Sequence, residues 1–140
     1  QIGFSDKIII SIIGSATDYK RYIFEQLHFH WGSHDSVGSE HMIDGVRFPM
    51  EMHLVHYKRS YGSFDEAVDK PDGIMVLATL CKISLHNNIF FDSVINLVDD
   101  VPLYKDKALL LQPFTLRSLL PKKLKPFYRG SLTSPPCYES

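Results

Sequence analysis

The run YIFEQLHFHW, Tyr22 to Trp31, restricts the fold more than any other part of the chain. It is rich in aromatic and aliphatic residues, which favours a strand, and along a strand residues i and i+2 share one face while i+1 points to the other. Gln26, His28 and His30 then project together, and Leu27, Phe29 and Trp31 project to the opposite, apolar face. The pattern describes a sheet with a core on one side and a polar pocket holding two imidazoles on the other.

A second stretch, PMEMHLVHYK, repeats the arrangement. Read as a strand, it puts Glu51, His53 and Val55 on one face and Met52, Leu54 and His56 on the other. In each strand a side chain able to accept a hydrogen bond, Gln26 or Glu51, precedes a histidine by two residues on the same face. That is where a partner must stand to hold one ring nitrogen while the other binds a metal. Three histidines from two strands, His28, His30 and His53, suit Zn²⁺, which takes nitrogen ligands at about 2.0–2.1 Å in a tetrahedral site. Three protein ligands leave a fourth position open for water, as in catalytic and not structural zinc sites. A histidine in a strand is more often a surface or hydrogen-bonded residue than a ligand, and H-x-H alone is weak; the E-x-H strand adds weight to it.

The rest of the chain also favours strands. Lys7 to Ile13 and Gly73 to Ser84 are aliphatic and bounded by Gly, Asp or Ser. Short helices are expected at Ser63 to Val68, with Ser63 and Glu66 at capping-box spacing, and at Phe90 to Asp99, where Phe91, Val94, Ile95 and Val98 recur at helical spacing. Pro113 to Pro136 carries five of the eight prolines and reads as mostly loop. With 140 residues, 44% of them hydrophobic, the chain is of single-domain size and can bury a core. A net charge of −1 gives no electrostatic reason to expect nucleic acid or an anionic membrane as partner. The basic cluster LLPKKLKP reads as a solvated loop, and no apolar run approaches the roughly 18 residues that span a bilayer. Both ends read as cut, so a piece of a longer protein is expected.

Four motifs, QLHFHWG, GSEHMIDG, MEMHLVHY and GSLTSPP, stand in an order and at separations that closely resemble the α-class carbonic anhydrases. The resemblance runs from about Tyr22 to the last residue and includes YGSFDEAVDKPDGIMVLA and SLLP. It implies a mainly β, α+β fold with a few short helices: part of a large, mostly antiparallel, twisted central sheet, with residues 1–140 forming a single, incomplete domain. It implies reversible hydration of CO₂ to bicarbonate and a proton by a zinc-bound hydroxide, with His28, His30 and His53 as the zinc ligands. Thr133 would accept a hydrogen bond from the hydroxide and donate one to Glu40. Gln26 and Glu51 would orient the first and third ligands, and His41 and Tyr128 would form a buried polar network beneath the site. Val55, Val76 and Leu132 would make the apolar wall against which CO₂ rests, beside Thr133 and Ser134; all three also read as ordinary core residues. His34, His56 and His86 have no such role and read as surface or structural.

Two cysteines are too few for a disulfide framework. Cys81 reads as a buried free thiol, and pairing it with Cys137 would tie a core strand to the GSLTSPP loop. In extracellular and membrane-anchored members of the resembled family, the cysteine matching Cys137 pairs with one near the N-terminus, outside this chain, which tilts the expected location toward secreted or extracellular, with the cytoplasm as the alternative. Members are about twice this length, and the residue that shuttles protons out has no match here. LKPFYRGSLT is about one residue shorter than usual, which bears on the match of Tyr128. The alternatives to an enzyme are a non-catalytic carbonic-anhydrase-like binding module and an inactive piece of an active parent. A piece of one sheet exposes strand edges, so poor solubility or stability is expected.

Overall fold

A computed structural model describes residues 10–89, 91–95, 115–121 and 127–139. Among these residues four strands, β1 (Ser11–Ile12), β2 (Tyr22–Trp31), β3 (Met50–Lys58) and β4 (Ile74–Cys81), form one antiparallel sheet in the order β1-β2-β3-β4. Each strand thus pairs with its neighbours in sequence, the arrangement that needs the least chain crossing. Among the described residues three short helices, α1 (Phe64–Ala67), α2 (Asp92–Ile95) and α3 (Leu116–Leu119), complete the mainly β, α+β architecture expected from the sequence.

β3 is central, and Glu51 through His56 are buried on both faces. On the apolar face Leu27, Met52 and Leu54 lose essentially all their exposure, a burial worth about 1.5–3 kcal/mol for each such side chain. The β2–β3 register pairs Gln26 with Val55, His28 with His53, and His30 with Glu51, and the β3–β4 register sets Val76 opposite Val55 and Ala78 opposite His53. One irregularity was not foreseen. The register shifts between Phe24 and Gln26, so Glu25 is bulged and Phe24 pairs with His56, its ring edge-on to the imidazole at 5.6 Å between centroids. The bulge puts Phe24 on the core side although its parity matches that of Gln26.

Of the strand expected at Lys7 to Ile13 only Ser11–Ile12 is seen, and residues 7–9 lie outside the described residues. The strand expected at Gly73 to Ser84 is shorter, Ile74–Cys81. The Ser63 cap is present, accepting the Glu66 N–H at 3.3 Å. α2 covers the middle of the expected Phe90 to Asp99 helix, whose residues 90 and 96–99 are outside the described residues. Within Pro113 to Pro136, expected to be mostly loop, α3 is a single helical turn: Leu116 and Leu119 recur at helical spacing and are both buried, which favours it. Residues 113–114 and 122–126 of that stretch lie outside the description, as does most of the basic cluster.

The chain divides into two compact units, Gln1–Lys82 with Lys125–Ser140, and Ile83–Leu124. The first contains the sheet and all the candidate site residues; the second contains α2 and α3. In the first, the connection over residues 32–49 carries Glu40 and His41 back across the sheet. It turns at Asp44-Gly45, both with positive φ (52° and 76°), between Ile43 and Val46, which exchange backbone hydrogen bonds of 3.0 and 2.9 Å. Positive φ at both central residues is what a type I′ turn requires and what Asp-Gly supplies.

Candidate metal centre

β2 and β3 bring the three histidines together because His28 and His53 are directly paired and His30 follows on the same face. Ring centroids are 4.9 Å apart for His28 and His30, 5.1 Å for His28 and His53, and 4.6 Å for His30 and His53. One ring nitrogen of each lies within 4.8 Å of the others.

Hydrogen bonds determine which nitrogen two of the rings, His28 and His53, present. Gln26 Oε1 can only accept, so His28 Nδ1 donates to it (2.8 Å) and Nε2 keeps its lone pair. His28 Nε2 lies 3.0 Å from His30 Nε2. Ligand arms of about 2.0–2.1 Å meeting at the tetrahedral angle separate two nitrogens by roughly 3.3 Å, so this spacing fits a shared zinc ion with little adjustment. His53 Nε2 donates to Glu51 Oε1 (2.6 Å), which leaves Nδ1 as its ligating atom. Burial, and then the neighbouring His53 and His30 imidazoles, push the His28 pKa down from 6.5 to about 4, so this ring is neutral, as a ligand must be, at ordinary pH.

Glu51 has no exposed surface and accepts hydrogen bonds from three donors: His53 Nε2, the His41 backbone N–H (2.8 Å) and His41 Nδ1. Burial raises a carboxyl pKa, but the bonds from His53 and His41 outweigh it and hold Glu51 at about 2. His41, Glu51 and His53 are also close enough together to ligate a cation. With both imidazoles donating to Glu51, however, this trio is a hydrogen-bonded support, whereas in the group His28, His30 and His53 the first and third rings keep a lone pair for an ion, on Nε2 and Nδ1. His41 Nε2 accepts from the Tyr128 hydroxyl, which extends the chain of bonds to Tyr128–His41–Glu51–His53. The expectation of a buried network needs correction here: Tyr128, on the exposed 127–130 segment, is 65% exposed, although its ring stands edge-on to His41 at 5.7 Å between centroids.

Glu40 Oε2 lies 3.4 Å from His30 Nε2 and 3.8 Å from His53 Nδ1, and it accepts the Thr133 hydroxyl at 3.0 Å. Thr133 and Ser134 are both exposed, and the Ser134 carbonyl accepts the Cys137 N–H (2.9 Å). Val55 is buried with Ala67 and Ile74, and Leu132 packs against that cluster; Val76 stays 36% exposed. Ala78, opposite His53, was not singled out from the sequence. Its signal was the period of two along β4, which puts Val76, Ala78 and Leu80 on the histidine side, and its small side chain leaves the approach to His53 uncrowded. His56 is buried and structural, whereas His34 and His86 are exposed. Cys81, the last residue of β4, is only half-buried, not buried as expected; Cys137 is exposed, and both are free thiols.

A family model described as eukaryotic-type carbonic anhydrase matches residues 1–140. The chain is 41% identical over 130 residues to carbonic anhydrase 6 of Canis lupus familiaris and 39% identical over 124 residues to that of Homo sapiens, alignments covering 89% and 85% of this chain and 40% of each relative. It is 36% identical over 142 residues to carbonic anhydrase 1 of Monodelphis domestica, covering 100% of this chain and 53% of that relative. The chain thus spans about half or less of the length of these relatives. With the family matched over all its residues, this chain belongs to the eukaryotic-type carbonic anhydrases.

Proposed function

We propose that this chain carries the metal centre of a carbonic anhydrase, with His28, His30 and His53 holding one Zn²⁺, and that its reaction is the reversible hydration of CO₂ to bicarbonate and a proton. The observation that carries the reading is the convergence of three imidazoles, two of which have their tautomers set by Gln26 and Glu51. In carbonic anhydrases, the type case of zinc held by three histidines, the bound ion supplies a water whose pKa is lowered to about 7. We read residues 1–140 as part of one such domain, a reading supported by the family match over the same residues.

The side chains around the centre have separable roles. Thr133 donates its proton to Glu40, so toward the histidines it offers lone pairs alone. Any protonated group at the open position must donate to Thr133, which aims that group's own lone pair and disfavours ligands without a proton. Ser134 keeps a second hydroxyl beside it. Val55, Val76 and Leu132 supply an apolar surface for CO₂, a substrate with almost nothing to hydrogen-bond. Gln26, Glu51, His41 and Tyr128 hold the imidazoles in place.

Metal analysis and a CO₂ hydration assay, with His53→Ala as control, test the reading. One zinc per chain and hydration above the uncatalysed rate are expected, both lost in the variant; failure to take up zinc would sink it. A second reading, zinc binding without appreciable turnover, is favoured by the exposure of Thr133 and Val76 in a chain spanning 40% of its carbonic anhydrase 6 relatives. Zinc uptake with no hydration would select it. Exposed Cys137, implied by the resemblance to pair with a cysteine outside this chain, supports a location outside the cytoplasm.

A further inference from the structure

Glu40 and His41 reach the two sides of His53 from a single stretch of backbone. Glu40 Oε2 stands 3.8 Å from His53 Nδ1, and His41 bonds to the carboxylate that holds His53 Nε2. Both residues lie outside the strands, so the sheet ladder does not set their direction.

Other contacts do so. The Arg47 guanidinium, through Nη1, donates to the Ser39 carbonyl and to the Glu40 carbonyl (3.3 Å). These two carbonyls belong to the peptide planes on either side of the Glu40 Cα. Each plane is rigid, so holding both restricts φ and ψ of Glu40 and with them the direction of its side chain. The second plane also carries the His41 N–H that donates to Glu51 Oε2 at 2.8 Å. One guanidinium nitrogen and one buried carboxylate therefore grip opposite edges of the same peptide. Ser39, buried, supports the grip from below: its hydroxyl donates to the His41 carbonyl (2.7 Å) and accepts the Phe48 N–H (2.8 Å).

We propose that Arg47 is a positioning residue for the metal centre, acting through the backbone of Glu40 and His41 and touching neither metal nor substrate. The inference rests on the reading of His53 as a ligand. The cationic Nη1 of Arg47 bonds carbonyls more strongly than a neutral donor does, and the planar guanidinium fixes the directions of its two N–H bonds. A lysine keeps the charge without the planar geometry and restores part of the effect.

The test compares Arg47→Ala and Arg47→Lys in the full chain, each alone and combined with Glu40→Gln. Arg47 is exposed, so its removal leaves the core intact. Loss of an outer partner of a metal site typically costs 10–100-fold; for Arg47→Ala the expected loss is at the lower end, about tenfold in kcat, with KM little changed and partial recovery in Arg47→Lys. In the Glu40→Gln background Arg47→Ala should add little, since the two act as a unit. Equal losses in both backgrounds, or no loss in either, would overturn the proposal. The ¹⁵N ring shifts of His41 and His53, recorded without metal, give a second readout. They should move in Arg47→Ala and stay in place if the residue only decorates the surface. Should the unsubstituted chain take up no zinc, the reading of the site fails, while unchanged ring shifts overturn the role of Arg47 on their own.

Discussion

Glu51 is the residue on which the orientation of the centre converges, since its two oxygens accept all three bonds from His41 and His53. Glu51→Gln replaces one acceptor oxygen with a donor, which faces a donor already in place and releases either His41 or His53. Zinc affinity, measured by competition with a chromogenic chelator, should fall about 10–100-fold. Residue chemistry also predicts an acid response. His56 is buried, and that burial lowers its pKa from 6.5 to about 4 despite its contact with the Leu54 carbonyl. The unfolded chain therefore takes up this proton first as pH falls. Stability from His56 is fully present above pH 6.5 and is lost progressively down to about pH 4, a total of about 3 kcal/mol. His28 shares this window in the metal-free chain, and Glu51, whose pKa is depressed from 4.5 to about 2, loses its contribution between those values. Denaturant midpoints measured across pH 7 to 4 should decline, and His56→Gln should flatten the slope; a slope unchanged by the substitution would refute the assignment.

At the scale of elements, the 32–49 connection is held by close approach as well as by hydrogen bonds. A Cβ on Gly38 would lie 1.7 Å from the Pro49 carbonyl oxygen, whereas one on Gly14 meets nothing within 4 Å. Gly38→Ala must displace the segment that delivers Glu40 and His41, and overpacking of this kind costs about 1–3 kcal/mol. The expected outcome is a lowered thermal midpoint together with weakened zinc uptake, with Gly14→Ala near neutral in both. The strands themselves were legible in the sequence: Tyr22–Trp31 matches its expected span, and Met50–Lys58 takes up all of PMEMHLVHYK but its proline. The bulge at Glu25 was not, because YIFEQ alternates without a glycine or proline to mark a break. It follows from pairing with β3, where both Phe24 and Leu27 must face the core for their apolar surface to be buried. α3 was hidden for a different reason, since proline content outweighed a two-leucine spacing too short to register as a period.

For the whole molecule, metal binding and stability should be coupled. His28, His30 and His53 converge only when β2 and β3 are paired, so on the proposed reading zinc should bind the folded chain alone and stabilise it, by about 4 kcal/mol when free zinc reaches 1,000 times its dissociation constant. Thermal scans should show a midpoint that rises with zinc and drops on chelation; a midpoint indifferent to both would argue that the histidines do not assemble in solution. Large apolar side chains at the surface, among them Trp31 and Ile83, make a metal-free chain prone to self-association. Light scattering without zinc should report this, and a cooperative, monodisperse metal-free chain would contradict it.

The period of two in QLHFHWG and MEMHLVHY was sufficient to put Gln26, His28 and His30 on one face and Glu51 and His53 on another, because side-chain direction in a strand is a local property. Whether the two faces were the same one, and which nitrogen each ring would offer, were not local. The β2–β3 register, the bulge that resets parity ahead of Gln26, and the return of a loop held by Gly38, Ser39 and Arg47 decided those points. They depend on residues far apart in the chain meeting across a sheet, and only the folded packing of that sheet brings them within hydrogen-bonding distance.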